Sequence, residues 1–340
     1  MRVLLDIQQK LLPDLLDVMV KRYRILQNIR VMQPIGRRSL SSNIQLSERV
    51  LRSEVNFLKE QGLVHFASAG MSITADGEAL FLQLEDMMKE LLGLRSLETE
   101  LEQKLGVKKV LVVSGNSDVD SWVKREMGRA CVAELKEHLL PNDVIAVTGG
   151  TTIAAVADMM TPEHRTRNLM FVPARGGLGE RVENQSNTIS AQFASRAGAQ
   201  YRMLHVPDQL SEDAYSSLLL EPSLKDILKL VKSARIVIHG IGEAKTMASR
   251  RGSSQEFIDK LEREHAVAEA LGYYFNRNGK VIHKQRTIGL QLDDLENEKM
   301  VISVAGGHSK SEAIFAYMNC RPSDVLITDE AAAKSLLHLT

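Results

Sequence analysis

The sequence predicts an α/β chain in two parts: a small basic helical module with a hairpin, followed by a larger, mostly parallel sheet covered by helices. Three observations carry this. The 340 residues exceed one ordinary domain and suit two. Positive charge is concentrated near the N-terminus. From Lys108 onward, short β-rich runs alternate with helical segments.

Composition is ordinary for a globular chain, with 44% hydrophobic and 25% charged residues. Every apolar run is broken well before the roughly 18 residues of a membrane span. The opening MRVLLDIQQKLL has charges within its apolar stretch and no small-residue cleavage site, so a cytoplasmic protein is expected. Cys131 and Cys320 lie far apart in helical patterns and read as buried thiols of a reducing compartment. Net charge is zero, yet between Val20 and Glu60 nine Lys or Arg face three acids. That imbalance places an anion-seeking module at one end.

An amphipathic helix is expected over Leu4–Val20, interrupted at Pro13. A second spans Arg24–Val31 and stops at Pro34 and Gly36, and Arg37–Ile44 forms a short third. Ser47 suits the N-cap of the next helix, with Leu46 and Leu51 as a hydrophobic staple. Along that helix Leu51, Val55 and Leu58 share one face, which leaves Arg49, Arg52, Ser53 and Asn56 on the other. Gly62 ends it, and LVHFASAGMSIT alternates around Gly70 as a two-stranded wing would. This is the pattern of a winged helix-turn-helix. A helix entering the major groove needs an apolar face to hold it and short polar or Arg residues near its start to reach bases. Ser47, Arg49, Arg52, Ser53 and Asn56 are the candidate contacts, while Arg37 and Arg38, with Lys21 and Arg22, suit flanking phosphates. A merely solvated basic bundle would not need the staple, the wing and the charge excess together.

Thr74 is expected to cap a long helix running toward Leu105. Its Leu80, Leu84, Met87, Leu91 and Leu94 alternate spacings of four and three, the seam of a paired helix. Dimerisation is expected there, the competing reading being packing onto the chain's own domains.

The strand candidates of the second part are 110–115, 144–150, 169–177, 201–207, 235–242, 300–307 and 324–328. Helices fit between most of them, including Val123–Leu139 and Ser309–Tyr317. Alternation of this kind builds a Rossmann-like sheet whose ligands sit at the carboxyl ends of the strands. Gly149-Gly150-Thr151-Thr152 and Gly306-Gly307-His308-Ser309-Lys310 each follow a strand and open a helix, with the makings of an anion cradle. Arg175-Gly176-Gly177 and Gly240-Ile241-Gly242 mark two further strand ends. Two cradles on one edge suggest a ligand with two phosphates, or one phosphate and a carbonyl or hydroxyl. Glu269, placed in a helix before LGYYF, is either a hydroxyl acceptor or a surface carboxylate. Arg250 and Arg251 either reach a phosphate or are solvated, and Trp122 reads as a packing residue. The nine histidines show no metal-binding spacing, and neither a metal nor another cofactor is called for.

GGTT, VPARGGLGE, GIGEA and AGGHSKSEAI, behind KLLPDLLDVM, PIGRRSL, SERVLRSEVNFLKEQGLV and EMGRA, resemble the SorC-type sugar-binding regulators, in the branch that controls glycolytic genes. The resemblance covers the whole chain. It implies a winged helix-turn-helix domain over 1–88 and an effector-binding and oligomerisation domain over 89–340. The latter would have the sugar-phosphate isomerase and coenzyme A transferase-like fold, used as a sensor. It further implies operator DNA as partner, fructose-1,6-bisphosphate as effector, and assembly as a dimer and a dimer of dimers. By motif, Gly149, Gly150, Thr151 and Thr152 hold one phosphate; Ser309 and Lys310 hold the other or its neighbouring hydroxyls. Arg175 adds charge between them, Arg250 assists, Glu269 accepts hydroxyl hydrogen bonds and Gln185 is a further contact; His308 receives no role. The expected mechanism is a repressor whose operator binding weakens with effector bound. The alternatives are a relative answering another sugar phosphate, or a sugar-phosphate isomerase or deaminase with a DNA-binding appendage.

Overall fold

The computed structural model describes residues 10–164, 166–177, 181–207, 209–295 and 299–339. The chain divides into two compact units between Ser96 and Leu97.

In the first unit, α1 (Pro13–Met32) is one continuous helix rather than the two expected, while residues 4–9 of the expected opening helix lie outside the described residues. Pro13 falls in the first turn, where its missing N–H costs nothing, and no breaker separates Val20 from Arg24. Then follow α2 (Arg37–Ile44) and α3 (Glu48–Glu60), the latter capped by Ser47, whose hydroxyl accepts from the Val50 amide. The wing is β1 (Val64–Ala67) paired antiparallel with β2 (Gly70–Ile73). Gly70 sits at φ +137°, and a Cβ there would lie 2.8 Å from the Ile35 backbone, which bonds both ways with Met71. Only glycine lets that extra strand residue come so close.

Thr74 caps α4 (Ala75–Leu91), whose Phe81 and Met88 are fully buried; Phe81 stacks on Tyr23 with ring centroids 4.7 Å apart. The expected helix to Leu105 is instead two, because Gly93 adopts φ +70° and ends α4 before α5 (Leu94–Leu105) begins. Part of the expected seam is used internally, since Leu84 and Leu91 pack against this unit's own core. Leu80 and Met87 remain half-buried.

The second unit is built on seven parallel strands: β3 (Lys109–Val113), β4 (Val144–Val147), β5 (Met170–Pro173), β6 (Gln200–Tyr201), β7 (Ile236–Gly240), β12 (Met300–Val304) and β13 (Val325–Asp329). Their spatial order is β3-β13-β12-β7-β4-β5-β6. Around them lie α6 (Ser121–His138), α7 (Thr151–Met159), α8 (Ser186–Ala197), α9 (Glu212–Leu218), α10 (Pro222–Lys232), α13 (Ser311–Cys320) and α14 (Glu330–His338). The predicted 201–207 strand shrinks to its first residue, because the Asn187 side chain takes both the N–H and the C=O of Leu204 and replaces a strand partner there. Between β7 and β12 comes a layer that periodicity did not reveal. It holds β8 (Gly242–Glu243), α11 (Ala244–Arg250), α12 (Gln255–Arg263), β9 (Ala266–Ala270), β10 (Tyr273–Asn276) and β11 (Val281–Lys284). These four strands form an antiparallel sheet with a small core of Ala244, Ala248, Leu261, Ala266 and Tyr274. Glu269 therefore lies on β9, not in a helix: the chain turns at Leu271 and Gly272, both at positive φ, straight into β10. Trp122 and Cys131 are buried as expected, whereas Cys320, on the last turn of α13, is exposed.

The order of strands sets the site. From β4 the chain winds outward through β5 and β6; from β7 it winds the other way through β12 and β13. The two loops leaving β4 and β7 part company and open a crevice at the carboxyl edge.

Candidate functional site

A cleft of roughly 850 Å³, its mouth included, occupies that crevice. Gly149, Gly150, Thr151, Thr152, Arg175, Gln185, Arg250, Glu269 and Lys310 all line it, so the fold brings together nine of the ten predicted effector residues. Ser309 is the exception.

The β4 loop is built as an anion cradle. A Cβ on Gly149 would lie 2.7 Å from the Asn184 carbonyl oxygen, and Gly150 sits at φ +113°, its N–H donating to that same oxygen at 2.8 Å. Glycines thus allow this loop to press against the start of α8. The helical ladder of α7 begins where Ala154 donates to Gly150, so the amides of Thr151, Thr152 and Ile153 precede it, and no side chain caps them. An uncapped helix start offers N–H groups and partial positive charge to an anion. Thr151 is exposed and Thr152 buried. Gln185 occupies the N-cap position of α8, also without a side-chain cap bond, which brings a second helix start to the same cleft.

The floor is a buried charged group. Glu269 Oε1 accepts from Arg175 Nη1 at 3.2 Å, Arg251 Nη2 at 2.8 Å and the Gly272 amide at 2.7 Å. Arg251 Nη1 also donates to the Tyr274 hydroxyl at 2.9 Å. Burial pushes the Tyr274 hydroxyl up, partly opposed by Arg251. The adjacent arginines separate in role: Arg251 is buried beneath the cleft, whereas Arg250 is exposed at its lining. Glu269 anchors both buried arginines, a task the sequence pattern did not suggest. Gly272 is part of this arrangement, since a Cβ there would crowd the Arg175 guanidinium at 3.1 Å.

The second glycine loop differs from expectation. Gly307 N–H donates to Asp329 Oδ2 at 2.7 Å, and Ser309 gives its N–H and hydroxyl to the two Asp118 oxygens at 2.8 and 2.7 Å. A Cβ on Gly307 would fall 2.2 Å from Asp118 Oδ1. The loop does cradle anions, but they are two of the chain's own carboxylates, and Ser309 turns toward one of them. His308 pairs with Ser335 at 2.6 Å. Lys310 alone extends from this loop into the cleft lining. Its ammonium is pushed down to about 8 by burial, then by repulsion from Lys124 and Arg250, against the pull of Asp118 and Asp329. A lysine so destabilised gains from any anion placed beside it.

In the first unit the predicted DNA-contacting residues lie on α2, on α3 and at the cap of α3. Arg49, Arg52, Ser53 and Asn56 are exposed along α3; Ser47 caps that helix; Arg37 and Arg38 are exposed on the first turn of α2. Lys21 and Arg22, expected at phosphates, are engaged internally, paired with Glu54 at 2.7 and 2.9 Å, with Arg22 also 3.6 Å over the Phe57 ring. Burial pushes Glu54 upward, but these two cations outweigh it and hold the carboxyl below its ordinary value.

Among the described residues, one cluster has metal-ligand composition, Glu134, Glu137 and His138, but the Lys109 ammonium already pairs with both glutamates. No helix among those residues is long and apolar enough to cross a membrane.

Comparison with known proteins agrees with this layout. Residues 18–88 match the CggR N-terminal DNA binding domain family, and residues 89–338 match the Sugar-bind family of sugar-binding domains. The chain is 57% identical to a central glycolytic genes regulator of Priestia megaterium, over 99% of each chain. It is 55% identical to one of Bacillus subtilis, again over 99% of each. The full-length sorbitol operon regulator SorC of Klebsiella pneumoniae superposes with a TM-score of 0.68 at 20% identity, covering 90% of this chain and 94% of that one.

Proposed function

The chain belongs to the SorC/DeoR family of sugar-binding transcriptional regulators, and from that premise we propose that it represses glycolytic genes until fructose-1,6-bisphosphate fills the cleft. It is a DNA-binding transcription regulator; the effector, the direction of control and the assembly are what we propose.

The observation that carries the effector assignment is the pairing of open α7 amides with Arg175, Arg250 and the buried ammonium of Lys310 around one cleft. A dianionic phosphate on the α7 cradle satisfies amides that a helix start leaves over. A second phosphate near Lys310 and Arg250 relieves the repulsion between those cations. A sugar with a phosphate at each end uses both, whereas a monophosphate occupies only one of the two positions. Gln185 and Thr151 suit the hydroxyls and phosphate oxygens between. The glycolytic assignment is supported by full-length relatives that carry that name.

Against catalysis stands the chemistry of the one predicted carboxylate. Acid–base catalysis needs a carboxyl free to trade a proton with substrate. Glu269 Oε1 already receives three donors, two of them guanidinium groups. The cleft is a sensor: binding energy is spent on a change of state, and coupling of about 1–3 kcal/mol suffices to release DNA. Pairing of two copies, and of two pairs on a two-part operator, is supported by Leu80 and Met87, which α4 leaves half-buried, and by the exposed Leu82.

The direct test is a thermal-shift titration with fructose-1,6-bisphosphate beside fructose-6-phosphate and other monophosphates. A ligand that binds only the folded form raises the melting temperature in step with RT ln(1 + [L]/Kd). A shift confined to the bisphosphate is expected; an equal shift with a monophosphate, or none, contradicts the reading.

A further inference from the structure

Several basic residues of the first unit are already engaged within it. Lys21 and Arg22 pair with Glu54, and Arg30 Nε donates to both Glu78 oxygens at 2.8 Å, so these three are used in holding helices together. Arg49, Arg52, Ser53 and Asn56 instead make no hydrogen bond or ion pair among the described residues, although all four are exposed and capable of several. Four polar side chains left unspent on the face opposite Leu51, Val55 and Leu58 form a reading surface, and their types carry information.

We infer that α3 reads guanine through Arg49 and Arg52 and adenine through Asn56. The argument rests on the reading that α3 is the helix entering the major groove, and it adds what the helix recognises there. A guanidinium presents two parallel donors that match guanine O6 and N7. A carboxamide offers one donor and one acceptor, which match adenine N7 and N6. At about 100° per residue, Arg49, Ser53 and Asn56 fall nearly in line down the middle of the outward face, with Arg52 beside them. At 1.5 Å per residue, Arg52 and Asn56 are separated by about 6 Å along the helix axis, close enough to face bases of one half-site. Each half-site therefore holds a guanine and, within reach of the same helix face, an adenine. Ser53, able to donate or accept, discriminates little between them. Arg37 and Arg38, on the first turn of the preceding helix, contact phosphates and carry no base preference.

The experiment is selection of the full-length protein on random-sequence duplexes of about 30 base pairs, followed by binding of Arg52→Ala, Asn56→Ala and Arg37→Ala variants to the enriched duplex and its single-base changes. These positions are exposed, so melting temperatures matching the parent protein certify intact folding. The expected result is an enriched half-site that contains both a guanine and an adenine. Asn56→Ala loses roughly 5- to 150-fold in affinity and becomes indifferent at the adenine alone; Arg52→Ala does the same at the guanine. Arg37→Ala weakens every duplex alike and lowers the salt slope. If Asn56→Ala and Arg52→Ala lose affinity without relaxing any position, or keep the full sequence preference, the assignment is overturned while groove reading stands. If no sequence is enriched at all, both are overturned.

Discussion

Effector affinity is expected to fall steeply as the solution is made alkaline, through one lysine. Lys310 is pushed down to about 8 by burial and by the nearby Lys124 and Arg250. The second ionisation of a phosphate ester is complete near pH 7, so the ligand's own charge is constant above it. If only the ammonium form receives phosphate, apparent affinity follows the protonated fraction. That fraction is roughly nine-tenths at pH 7 and about 3% at pH 9.5, a loss of about thirtyfold or about 2 kcal/mol. Binding at pH 8 then draws in about half a proton per site. Isothermal titration with fructose-1,6-bisphosphate at pH 7, 8 and 9.5, in two buffers of different ionisation enthalpy, reads both quantities. A Lys310→Met variant is expected to bind more weakly at pH 7 and to lose the slope. An affinity flat from pH 7 to 9.5, or a slope that survives in Lys310→Met, refutes the role given to this lysine.

Other consequences follow from the same geometry. Gly149→Ala sets a Cβ 2.7 Å from the Asn184 carbonyl and forces the two loops apart; a destabilisation of about 1–3 kcal/mol and loss of the effector-induced melting shift are expected in calorimetry. Glu269→Gln leaves Arg175 and Arg251 buried without their carboxylate, an expected cost of about 3–5 kcal/mol, measured by denaturant unfolding; a stability equal to the parent's would show that Glu269 anchors neither. Glu54, held below its ordinary 4.5 by Lys21 and Arg22 despite its burial, stabilises the first unit fully above that pH and progressively less as the solution is acidified past it. Glu54→Gln should therefore flatten the acid limb of the helix signal, and an unchanged limb would assign that loss to other groups. His239, fully buried and lowered by burial to about 4, should be charged in the unfolded chain before the folded one. Stability then declines as pH falls from about 6.5 toward 4, and a replacement by Gln should remove that part of the decline.

How much of this could be read beforehand depended on how local each signal was. The bounds of α2 and the start of α3 follow from Pro34, Gly36 and Ser47, because breakers and caps act within a turn of where they stand. The β4 cradle was equally legible, since Gly149 to Thr152 carry their whole chemistry in four consecutive residues. The second glycine loop was misread for the opposite reason. Its amides are taken by Asp118 and Asp329, one of them 191 residues away from its partner, and nothing near Gly307 announces them. Glu269 fell in the wrong element because AVAEA suits a helix by composition, and only the turn at Leu271 and Gly272 commits it to a hairpin. Lys21 and Arg22 show the limit of counting charge: both read as available by composition, yet Glu54, two helices further along the chain, pairs with each.

The central claim is that a sugar bisphosphate in the second unit loosens the grip of the first on DNA. Fluorescence anisotropy of a labelled duplex carrying the selected site, titrated with full-length protein alone, with saturating fructose-1,6-bisphosphate and with fructose-6-phosphate, tests it directly. The account predicts binding weaker by about 5- to 150-fold with the bisphosphate and unchanged with fructose-6-phosphate. Equal affinity in all three titrations would contradict it.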